Sequence, residues 1–150
     1  MRGFIGKFVA IILLFFGLVI TPFVNTAVTE ENANRISMLY DITSFVDEVV
    51  DSRQITDDML KSFNTRISSY GIPVDYEITR EMLDIEPDPL NSGDYYPAYI
   101  VTESNRDFNQ GDHITVHVYS SGNSMPMTLA NRVANIYAGE VDIEISARIR

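Results

Sequence analysis

The chain has 150 residues and no cysteine, and 21 acidic residues face 11 basic ones, a formal net charge of −10 at pH 7. This length holds one domain of ordinary size rather than two, and the missing cysteines exclude a disulfide framework. The acidic excess argues against nucleic acid as a partner, because a negative surface repels phosphate.

The opening stretch, MRGFIGKFVAIILLFFGLVITPFV, is the most apolar part of the chain. Phe4 to Val24 spans 21 residues, roughly 31 Å of helix at ~1.5 Å per residue, about one hydrocarbon core. Lys7 falls inside this count near its end, where a long ammonium stem reaches the headgroups. A cleaved secretory signal and a buried core helix are the competing readings. A signal ends in small residues at an A-x-A-like site, and the best candidate here, Asn25-Thr26-Ala27, carries a poor residue at its first position. Only Lys7 interrupts the apolar run, which is too uniform for a soluble core helix. The expectation is a retained transmembrane anchor over 1–24, followed by an extracytoplasmic domain over 25–150.

Orientation follows from the flanks. Arg2 and Lys7 precede the span, and Glu30 and Glu31 follow it. The positive-inside rule then places the N-terminus in the cytoplasm and the domain outside, the layout of a single-pass protein of the cell membrane. Without Arg2 and Lys7, 9 basic and 21 acidic residues remain, so the exported part carries about −12. Anionic headgroups repel a surface of this sign.

After the span, apolar residues recur at helical spacing through Ile36, Leu39, Tyr40, Ile42, Phe45, Val46, Val49 and Val50. One long helix is expected to leave the membrane, with a kink at Pro22, and to reach about Asp51. The polar run TEENANR places the start of packing near Ile36. A second helix follows over 57–70, with Thr56 as N-cap, Asp57 and Asp58 in its first turn, and an Ile55–Leu60 staple. Met59, Leu60, Phe63 and Ile67 form its apolar face, and Gly71 ends it.

Beyond Pro73 the period changes to two. Val74, Tyr76 and Ile78 mark a strand, and MLDIEPDPLNSGDYYP, with three prolines, reads as a long surface loop. AYIVTE and HITVHVYS are the next strands, separated by the turn NRDFNQGD. A short helix is expected from about Pro126 to Tyr137, with Leu129, Val133 and Ile136 on one face and Gly139 at its end. VDIEISARIR closes the chain as a fourth strand. The fold class is α+β, with the long helix and two further helices on a small, mostly antiparallel four-stranded sheet.

Signs of catalysis are sparse. His113 and His117 share a strand face but stand ~13 Å apart, too far to ligate one metal unaided. No Gly-x-Ser-x-Gly elbow, P-loop or dinucleotide fingerprint occurs. Asp84, Glu86, Asp88 and Asp94 offer oxygen ligands at a spacing that could hold Ca²⁺, but Pro87 and Pro89 interrupt them and no EF-hand pattern is completed. Tyr95, Tyr96 and Tyr99 are expected to pack a strand edge on the core. No enzyme activity, cofactor or small-molecule substrate is expected.

The stretch FVDEVVDSRQITDDMLKSFNTRISSYG, the strand GDHITVHV and the final alternating strand resemble the small pilin-like membrane proteins of Gram-positive tight-adherence (Tad) pilus systems. These are akin in organisation to the minor pilins TadE and TadF. The resemblance implies a non-catalytic minor subunit or assembly component of a Tad or type IV-like pilus or secretion apparatus, with other pilus membrane subunits as partners. No carboxylate occurs in the span, where type IV pilins carry a glutamate, which points away from a bulk filament subunit. Phe8, Ile12, Phe15 and Phe16 lie roughly on one side of the span and are the candidate contact with partner helices. The alternative function is a tethered extracytoplasmic sensory or ligand-binding domain.

Overall fold

The structure, a computed structural model, describes residues 2–88, 90, 94–102, 107–137 and 139–150. A single helical rod extends from Arg2 to Ser52. It comprises α1 (Arg2–Phe15), a π-helical turn (Phe16–Ile20) and α2 (Thr21–Ser52). The disruption expected at Pro22 therefore falls one turn earlier. Proline has no N–H for the Leu18 carbonyl, and its ring crowds that carbonyl. The wider turn absorbs the mismatch, and both the Thr21 amide and its hydroxyl donate to the Phe16 carbonyl. At its far end α2 stops at Arg53, which adopts the left-handed conformation (φ 57°).

The α3 helix (Asp57–Ser68) is capped by Thr56, whose hydroxyl accepts from the Met59 amide at 3.2 Å. Ile55 and Leu60 both pack against the core, as a staple requires. Gly71 takes the left-handed conformation (φ 66°). The sheet follows in the order β2-β1-β3-β4, with every pair antiparallel. The strand β1 (Val74–Pro87) is its spine. Its first half pairs with β3 (His113–Ser120) and its second half with β2 (Tyr95–Thr102), while β4 (Asp142–Arg148) pairs with β3. Between β3 and β4 comes α4 (Met125–Ala134).

One face of the sheet carries the core. Ile114, Val116 and Val118 are completely buried, each worth ~1.5–3 kcal/mol of transfer free energy. They meet Met38, Ile42, Phe45, Val46 and Val49 of α2 and Met59, Phe63 and Ile67 of α3. Phe45 stacks on Phe63 at 4.3 Å, and Phe63 meets Tyr76 edge-on at 5.3 Å.

The structure corrects the expected outline in four places. The proline-rich stretch is largely strand, since β1 continues to Pro87 and β2 begins at Tyr95. Pro87 stands at a strand end and Pro97 on the edge strand β2, where a missing N–H is tolerated. Packing on α2 starts at Val24 and Ala27 rather than Ile36, which is exposed with Leu39 and Tyr40. Tyr95, Tyr96 and Tyr99 are exposed on β2 rather than packed on the core, because α2 covers the opposite side of the sheet, β3 and β4. The α4 helix ends at Ala134 rather than near Tyr137, and its buried residues are Met127 and Ala130, with Leu129 and Val133 exposed.

Candidate membrane span and partner surface

The rod divides into a bare half and a packed half. From Gly3 to Val19 every side chain is exposed, and this is the one helix, among the described residues, long and apolar enough to cross a membrane. Phe8, Ile12, Phe15 and Phe16 are 59%, 41%, 54% and 50% exposed, so among the described residues none covers the candidate ridge. Phe8, Ile12 and Phe15 keep their α-helical spacing within α1, and the Phe15 and Phe16 rings meet edge-on at 6.3 Å. Farther along the rod, Ile36, Leu39 and Tyr40 add exposed apolar surface on α2. Both sets lie on one continuous helix.

Where the bare half ends, a second apolar cluster forms. Val24 and Ala27 are buried with Met127 and Ala130, and Ile20, Val28 and Ile136 pack around them. One step higher, Glu31 is buried and its carboxylate accepts from Arg35 at 3.3 Å. The Arg35 guanidinium also donates to the carbonyls of Gly139 and Glu140, tying the segment after α4 to the rod. Asn34 donates to the Tyr70 carbonyl at 3.2 Å. Sequence reasoning took TEENANR for solvated helix. The missed signal was Glu31-x-x-x-Arg35, an i,i+4 pair that reads equally well as a surface feature.

A buried ion pair holds the far end of the sheet. Arg80, 4% exposed, donates to Asp112, 2% exposed, through Nη2 at 2.6 Å and Nε at 3.2 Å. The Asp112 carboxylate also accepts from the Asn109 amide at 2.9 Å and the Leu83 amide at 3.2 Å. Burial alone would raise the Asp112 carboxyl. The Arg80 hydrogen bond and the two amides outweigh it and hold the group below the usual carboxylate range. The Phe108 ring lies 5.1 Å from the guanidinium. Gly111 next door has φ 100°, and a Cβ there would come within 2.9 Å of the Leu83 side chain. This arrangement orders the turn before β3.

The acidic candidates are spread along the chain. Asp84 and Glu86 follow the alternation of β1, where Asp84 accepts from the Ile85 amide and Glu86 from the Tyr96 hydroxyl. Asp88 accepts from the Leu90 amide and donates its own N–H to the Asp94 carbonyl. Among the described residues no group of three or more His, Asp or Glu is placed to hold a metal ion. On the outer sheet face His117 meets Asp142 at 2.7 Å, and His113 packs against Tyr99 at 4.6 Å. An open cleft at the end of α2 is lined by Asp47, Asp51, Gln110 and Arg148. No family model, curated protein or solved structure matches the chain.

Proposed function

We propose that the protein is a non-catalytic, membrane-anchored component of a pilus-like assembly, of the minor pilin or assembly-factor kind, with its N-terminus in the cytoplasm. The observation that carries this reading is the helix from Gly3 to Ser52, bare over its apolar half and packed on an antiparallel sheet over the other. Apolar side chains exposed on both halves, Phe8, Ile12 and Phe15 on one and Ile36, Leu39 and Tyr40 on the other, suit helix-to-helix contact with neighbouring subunits. Inside a bilayer such contact relies on shape fit, because lipid is as apolar as the side chains. The sensory alternative draws on the cleft beside Asp51 and Arg148.

The test is recovery of the full-length protein from detergent-extracted membranes, followed by mass spectrometry. Pilus membrane subunits are expected with the native chain, and their absence overturns the reading. The combined changes Phe8→Leu, Ile12→Val and Phe15→Leu keep the span apolar and are expected to abolish this recovery. Changes at Ile11, Leu14 and Leu18 are expected to leave it largely intact. Equal recovery by both variants moves the contact to Ile36, Leu39 and Tyr40.

A further inference from the structure

We propose that α4 is a second membrane contact, a short interfacial helix that presents Met125, Leu129 and Val133 to the bilayer beside the span. The inference rests on the anchor reading of residues 4–24 and adds a lipid-facing surface to the exported domain.

Height along the rod is the first argument. The α4 helix docks through Met127 and Ala130 on Val24 and Ala27, with Ile20 and Val28 at the margins of the contact. Ile20 lies within the stretch that fills the hydrocarbon layer, and residues 20–28 rise only ~12 Å. A helix ~10 Å across that touches these residues cannot stand clear of the membrane boundary. The surrounding chain agrees. The strand end at Ser120 pairs with Val74, close to Tyr70, which bonds Asn34. After α4 the chain returns to bind Arg35 through Gly139 and Glu140. The α4 helix therefore hangs below the sheet, on the side of the span.

Surface chemistry is the second argument. Met125, Leu129 and Val133 are 76%, 47% and 49% exposed, and their four-residue spacing puts them on one side of the helix. The sequence MPMTLANRVA contains no acid, in a chain with 21 of them, and its one charge is the exposed Arg132. Apolar side chains beside a cation, at the depth of the headgroups, are what an interfacial helix requires. Tyr137, also exposed, adds an amphipathic ring of the kind found at membrane boundaries.

The absence of native cysteine makes the test direct. Full-length variants Leu129→Cys, Val133→Cys, Phe16→Cys and Ile85→Cys, each labelled with an environment-sensitive fluorophore, are reconstituted in phosphatidylcholine vesicles containing nitroxide-bearing lipid. Labels at 129 and 133 are expected to lose most of their emission, as the label at 16 does, while the label at 85, on the distal hairpin, loses none. If 16 is quenched while 129 and 133 behave like 85, the proposal is overturned, and the exposed face of α4 belongs to a protein partner instead. If 16 is not quenched, the anchor reading falls and this proposal falls with it.

Discussion

Arg80 and Asp112 face each other at 2.6 Å inside the sheet's far end, and the two residues differ in what else holds them. Asp112 keeps two backbone amides if the arginine is lost, whereas among the described residues Arg80 keeps the Phe108 ring if the aspartate is lost. Asp112→Ala is therefore expected to cost about 3–5 kcal/mol, by leaving a buried charge uncompensated. Arg80→Met is expected to cost clearly less. Urea unfolding of both variants checks the order, and equal losses would show that the amides contribute nothing.

The same carboxylate sets an acid limit. Its folded-state pKa lies below the unfolded value, so its contribution is present above about pH 4 and is lost as pH falls below that. Melting temperatures of the native chain and Asp112→Asn, followed from pH 6 downward, are expected to converge as the medium becomes more acid. Parallel curves would contradict the assignment.

Tyr70 gives the alkaline counterpart. Burial, then its 2.5 Å hydrogen bond to Asp41 and that residue's charge, push the phenol from 10.0 up to about 12. Because the folded pKa is raised, the stabilisation is present below about pH 10 and disappears as pH rises towards 12. Absorbance titration should show a late-ionising tyrosine that vanishes in Tyr70→Phe, apart from Tyr96, whose phenol is also raised by its hydrogen bond to Glu86. The variant is expected to lose ~1 kcal/mol at neutral pH, the net worth of a hydrogen bond.

Two fragments with different starting residues test the α2–α4 contact. A fragment beginning at residue 36 lacks Val24, Ala27 and Glu31, whereas one beginning at residue 21 retains them. In the shorter fragment the amides of 125–134 are expected to exchange rapidly, while the Phe45–Phe63 core stays protected. Slow exchange of α4 in both would mean that it is held elsewhere.

Local rules and longer-range rules were not equally legible. The α3 helix could be read because its signals are adjacent in sequence: Thr56, the staple and Gly71 each act within a few residues. The strand β3 was legible over 113–120 because alternation persists with no breaker inside it. The strand β1 was lost after Ile78, because proline looks the same at a strand edge as in a loop and edge position is a tertiary fact. Arg80 continues the alternation of Val74, Tyr76 and Ile78 on the inward face, so its burial was visible in principle. Its partner lies 32 residues away. For α4 the spacing of Leu129 and Val133 correctly gave an apolar face but not its destination. The candidate ridge at Phe8, Ile12 and Phe15 was legible as composition and spacing.

The rod from Gly3 to Ser52 has no hinge segment between its bare half and the sheet. A flexible linker would let the domain turn independently of its anchor. Here the two share one helix, so whatever grips Phe8, Ile12 and Phe15 also fixes the compass bearing of the sheet, and any twist applied to the bare segment is delivered to the packed domain. The π turn before Pro22, where one residue of extra winding is stored, is the place where that bearing is set.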